Sequence, residues 1–139
     1  MNFANKNKGF TLIEAVLTIV IISSGLFGMM LLFDNITRGA IEGDMNITAS
    51  YVAREKLEQM VFDKVYKGYD YVQNGNYNIN EPVLVGNHNY TRQTNIYEVS
   101  KADLTTAEAG SGFKRIDMTV LWGSSATQKI TESTLLTNY

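Results

Sequence analysis

The longest feature of the pattern is an apolar run from Phe10 to Phe33, in which Glu14 is the sole ionisable residue. At about 1.5 Å per residue, a helix over this run measures roughly 36 Å, enough to cross a hydrocarbon core of about 30 Å. The pattern changes at Asp34. From Asp34 to Tyr66, Met45, Ala49, Val52, Ala53, Leu57, Met60, Val61 and Val65 recur at threes and fours. That spacing predicts an amphipathic helix with one apolar stripe, leaving Arg54, Glu55, Glu58 and Asp63 off it. Gly39 and Gly43 each weaken the start of this segment by about 1 kcal/mol relative to alanine, which makes it a place for a bend or a loosened turn. Gly68 is a stop signal. The two patterns together predict a helix from Phe10 to about Tyr66, on the order of 85 Å if straight.

Beyond the helix the period shifts towards two. Tyr69 to Asn89 reads as an irregular connection that holds the lone proline, Pro82, with turns at Gly75 and Gly86 and a short strand near Val83 to Val85. Asn89 to Val99 has strand propensity but imperfect alternation. Phe113 to Trp122 alternates cleanly, with Ile116, Met118, Val120 and Trp122 on one face and Asp117 and Thr119 on the other. Gly123-Ser124-Ser125 is a turn, and Thr127 to Thr137 is the last strand. Lys101 to Gly112 is a polar loop with room for one helical turn at Ala102 to Ala107. The expected fold class is α+β: a long N-terminal helix whose amphipathic half packs on a small antiparallel meander of three or four strands.

Composition narrows the function classes. The chain has 139 residues, 45% apolar and 19% charged, a formal net charge of −2 and no cysteine. The charge argues against a nucleic-acid partner. The missing cysteines exclude a disulfide scaffold, a thiolate metal site and a thiol nucleophile. His88 is the single histidine, so neither a transition-metal site nor a catalytic dyad is expected, and there is no calcium-loop pattern. The expectation is a chain with no cofactor, no metal and no enzyme activity.

Charge also orients the apolar run. Lys6 and Lys8 precede it, which places the N-terminus in the cytoplasm and the rest outside. A secretory signal peptide has a shorter apolar region, about 7–15 residues, followed by a small-residue cleavage site. Glu14 is the discordant residue. An acid near the centre of a membrane helix costs about 2.5–3.5 kcal/mol, and less near the interface, so it marks a functional site with a partner to be named. No lysine or arginine lies in the run. A free α-amino group made by cutting the chain is one available cation. Gly25 and Gly28, with Ser23 and Ser24 before them, allow close helix approach in a membrane.

The segment Lys8-Gly9-Phe10-Thr11-Leu12-Ile13-Glu14 resembles the class III leader of type IV prepilins and of type II secretion pseudopilins. The resemblance implies cleavage by a prepilin peptidase between Gly9 and Phe10 and N-methylation of the new terminus at Phe10. It further implies that Glu14 pairs with the terminal amine of Phe10 in a neighbouring filament subunit. Implied partners are other pilin or pseudopilin subunits, the peptidase, an inner-membrane assembly platform and the membrane itself. The implied location is the inner membrane, single-pass, and then an extracytoplasmic pilus or pseudopilus. Ala53-Arg54-Glu55-Lys56-Leu57-Glu58-Gln59-Met60 and the final hairpin are similar to PilV-like and type I pseudopilin-like minor subunits. A minor subunit in a tip or initiation complex is therefore the expected role, with a major pilin or a non-polymerising anchored binding module as alternatives. The expected division is a leader at 1–9, a membrane or filament-core helix at 10–33, an amphipathic helix at 34–66 and a head at 67–139.

Overall fold

The computed structural model describes residues 9–123 and 126–138. The chain divides into two units, one ending at Glu42 and one beginning at Gly43. Helix α1 spans Leu12–Lys67. In the first unit the apolar side chains of α1 stand exposed along their whole length, from Leu12 to Ile41. The hydroxyls within the apolar run are satisfied by the helix itself. Thr18 donates to the Glu14 carbonyl at 2.7 Å, Ser23 to Ile19 at 2.7 Å and Ser24 to Ile21 at 2.9 Å. Such back-bonding hides a polar group from hydrocarbon without a partner chain.

The second unit packs the later turns of α1 on four antiparallel strands: β1 (Asn80–Val85), β2 (His88–Glu98), β3 (Phe113–Trp122) and β4 (Gln128–Thr137), in the spatial order β1-β2-β3-β4. α1 ends at Lys67, and Gly68 follows at φ 94, a backbone conformation that glycine adopts without strain. Two 3₁₀ turns, Tyr69–Tyr71 and Asn74–Asn76, carry the chain to β1. β1 and β2 close as a tight hairpin, with Val85 opposite His88 and Gly86 at φ 59 between them. Pro82 sits in β1, an edge strand, where a missing N–H is tolerated.

The core lies between helix and sheet. Ala49, Val52, Ala53, Leu57 and Met60 meet Tyr90 and Ile96 of β2, Ile116, Met118, Val120 and Trp122 of β3, and Leu136 of β4, with Tyr69 and Val72 closing one end. Alanines at 49 and 53 have no exposed surface and let the helix come close to the sheet. The expected stripe needs correction at its C-terminal end. Val61 and Val65 are exposed, and Asp63 is buried. The buried face continues from Leu57 through Met60 to Asp63, steps of three, whereas Val61 and Val65 continue by steps of four and drift off the sheet.

Asp63 tolerates burial because it is saturated. Lys67 meets it at 2.8 Å and the Tyr77 hydroxyl donates to it at 2.9 Å. The hydrogen bond from Lys67 holds its carboxyl below the usual range against the upward push of burial, and Tyr77 adds to the lowering. The same contact pushes the Tyr77 hydroxyl up, behind the larger effect of burial.

The uneven alternation of β2 has a physical cause. Its inward row is Tyr90, Arg92, Thr94 and Ile96, so a cation and a hydroxyl face the helix. Arg92 donates to the Val52 carbonyl at 2.9 Å and to Glu81 at 2.7 Å, and Thr94 donates to the Met118 sulfur at 3.6 Å. Lys56 joins Glu81 at 3.4 Å and Glu55 approaches Arg92 at 3.6 Å. The helix–sheet seam on the β1 side is thus closed by charges.

Val99, expected in the strand, instead forms an isolated bridge with Ala107. Residues 102–106 form turns and bends rather than a helical turn. Asp103 accepts the N–H groups of Thr105 and Thr106 at 3.0 and 2.9 Å, with Leu104 at φ 58 between them. Local carboxylate–backbone bonds of this kind compete with helix formation. The turn expected at Gly123 to Ser125 lies partly outside the described residues.

Candidate processing and pairing site

The candidate residues gather at the start of α1. Gly9, Phe10 and Thr11 precede the helix and are exposed. A peptidase needs its scissile bond in extended, accessible backbone, and the Gly9–Phe10 bond is outside regular structure. A Cβ built at Gly9 meets nothing within 4 Å. Nothing within the described chain therefore demands glycine there. Lys6 and Lys8 lie outside the described residues.

Thr11 is the N-cap. Its hydroxyl oxygen accepts the N–H of Glu14 at 3.3 Å, and its carbonyl accepts the N–H of Ala15 at 3.1 Å. Thr11-x-x-Glu14 is the sequence form of a capping box, a signal that periodicity alone does not reveal. Glu14 is in the first turn, where the helix dipole favours an acid. Its backbone is therefore engaged locally on both sides, since its carbonyl also accepts from Thr18. Its side chain is exposed, and among the described residues its carboxylate has no hydrogen-bond or ionic partner. Phe10, four positions earlier, is also exposed, as are Leu12, Ile13 and Val16. One helix end thus presents an apolar surface with a single unsatisfied carboxylate in it.

No other constellation competes among the described residues. Among the described residues no three histidine, aspartate or glutamate side chains come together as a metal site. His88 is exposed at the start of β2. The Gly110-Ser111-Gly112 stretch is a loop that leads into β3, with the Gly110 N–H bonded to Glu98.

α1 is the one helix among the described residues long and apolar enough to cross a membrane. Residues 4–30 match the family described as the prokaryotic N-terminal methylation motif. Comparison with curated proteins and with solved structures found no match. The matched stretch contains Gly9, Phe10 and Glu14, the capped start of α1 and most of its apolar run. The match over residues 4–30, the apolar helix and the antiparallel sheet together support a likeness to the type IV pilin and pseudopilin family.

Proposed function

We propose that the chain is a minor pilin or pseudopilin, cut after Gly9 and methylated on the new terminus at Phe10, whose Glu14 pairs with the Phe10 amine of a neighbouring subunit in a filament. The observation that carries this reading is the Glu14 carboxylate, unpartnered among the described residues on an otherwise apolar helix surface. In a dry helix bundle a lone carboxylate is costly, and a lone amine equally so. Together they offset each other's desolvation, and breaking such a pair by removing one partner costs about 3–5 kcal/mol. The pair fixes one register between neighbouring helices, so it governs assembly and not the folding of the head.

In this reading residues 1–9 are the leader, 10–33 anchor the chain and then line the filament core, 34–66 form the amphipathic stalk and 67–139 the head. The cytoplasmic N-terminus and extracytoplasmic head follow from Lys6 and Lys8. The minor-subunit role draws on the Ala53 to Met60 segment and on the final hairpin.

Two measurements test this. Mass spectrometry of the chain from cells with the processing peptidase is expected to find it beginning at methylated Phe10. An intact Met1, or a terminus beyond Phe33, would support a non-polymerising anchored module instead. Glu14→Ala is expected to abolish incorporation into filaments while the chain is still cut and still accumulates in the membrane; unchanged incorporation would refute the pairing.

A further inference from the structure

The two edges of the sheet are built differently. On the β1 side, Lys56, Glu81 and Arg92 close the seam with α1, and Pro82 removes a donor from the middle of the edge strand. On the β4 side the seam carries the contact of Arg54 with Glu132 at 3.1 Å. Beyond that contact it opens into a groove of about 520 Å³ between α1 and Ser133 and Thr134. Its wall is apolar: Val61, Phe62, Val65 and Tyr66 are 40%, 55%, 71% and 71% exposed. β4 itself runs for 10 residues without proline and is the last strand of the sheet. Sheet edges are normally blunted by proline, by short length or by a cover, and a long open edge is a template for another strand.

We propose that this seam binds an extended segment of another protein, which joins the sheet as a fifth strand antiparallel to β4 and lays apolar side chains under Val61 and Val65. The helix overhangs the sheet here, so each inward side chain of the added strand gains a hydrophobic partner, while the β4 backbone supplies the hydrogen bonds. Charge selects the occupant. Glu58 stands on the groove rim with no partner among the described residues, and Arg54 is already engaged by Glu132. The strand that fits has a basic residue at the inward position facing Glu58. Neither edge strand of a second copy meets this requirement. The inward row of β4 carries Glu132 as its only charge and that of β1 carries Glu81, so neither offers a basic side chain to Glu58. The proposal does not depend on filament assembly.

The test uses the full chain in detergent with a synthetic peptide of alternating threonine and valine, one inward valine replaced by lysine. Binding is expected to slow amide exchange within residues 128–137 and not within 80–85. Val65→Asp, at an exposed site, is expected to weaken binding about tenfold or more, and Leu84→Asp on β1 to leave it unchanged. Glu58→Lys is expected to shift preference to a peptide with glutamate in place of lysine. Failure of the alternating peptide to bind, protection on β1, indifference to Val65→Asp, or self-association of the chain through β4 would each overturn the proposal.

Discussion

Thr11 and Glu14 are joined through the helix backbone: the Thr11 hydroxyl oxygen accepts the Glu14 N–H at 3.3 Å. The residue that starts the helix therefore also fixes the backbone of the acid on which the proposed pairing depends. Thr11→Ala removes the acceptor and is expected to cost about 1 kcal/mol at the helix start. Amide exchange at Glu14 and Ala15 in detergent should speed up about fivefold, and Thr11→Ser should restore the slow rate. Exchange unchanged in Thr11→Ala would mean the cap is not what holds this turn.

The buried end of the helix predicts a contrast between neighbours in sequence. Met60 has no exposed surface and Val65 is mostly exposed. Met60→Ala leaves a cavity in the core and is expected to cost about 2–5 kcal/mol. Val65→Ala removes exposed surface and is expected to stay within about 0.5 kcal/mol. Trp122 is buried and is the sole tryptophan, so its fluorescence on thermal unfolding reads the head in both variants.

That contrast also marks how far the sequence is legible. The helix, the clean alternation of β3 and the antiparallel meander follow from periodicity, because burial on one face forces a period of 3.6 or 2. Three features escape it. Asp63 is inward because Lys67 and Tyr77 satisfy it, and Tyr77 comes from the connection after the helix, which no local pattern announces. Arg92 faces the core because Glu81 and the Val52 carbonyl reach it from two other elements. Val61 and Val65 look like core by spacing but lie beyond the edge of a sheet that stops at β4. In each case the missing information is a long-range partner, present or absent. The start of the candidate site is different. Gly9, Phe10, Thr11 and Glu14 lie within six residues, so their arrangement is local, although the capping pair is a motif that periodicity does not reveal.

Asp63 gives the head a sensitivity to acid. Its folded pKa lies below the usual value of 3.8, mainly through the Lys67 hydrogen bond. The folded state thus binds the proton less well than the unfolded chain. The resulting stabilisation is complete above the unfolded value and is lost as pH falls through it towards the folded one. Glu81 and Asp117 act in the same direction. Burial pushes each up, but Arg92 and Lys56 outweigh it at Glu81, and Ser133, Arg115 and Tyr97 do so at Asp117. Thermal unfolding followed by Trp122 is expected to fall in midpoint below about pH 4. Asp63→Asn should melt lower than the wild type at pH 7, by about 1–3 kcal/mol of stability, and the gap should narrow in acid. A gap independent of pH would assign the role of Asp63 to packing and not to charge.

Arg92 carries the sharpest of these expectations, because its charge is buried with several obligations attached. Its side chain is 6% exposed, and it bridges Glu81 on β1 and the Val52 carbonyl on α1. Arg92→Ala leaves Glu81 without its main partner and the Val52 carbonyl without this donor. A loss of about 3–5 kcal/mol is expected, at the upper end for a single substitution. Arg92→Met keeps much of the volume but abandons the acid. Pairing it with Glu81→Gln removes the stranded charge, so the double variant should be more stable than Arg92→Met alone. A double-mutant cycle on thermal unfolding of the full chain measures this coupling directly. If Arg92→Met and the double variant melt together, Glu81 is held by Lys56 alone, and the seam on the β1 side does not need the arginine.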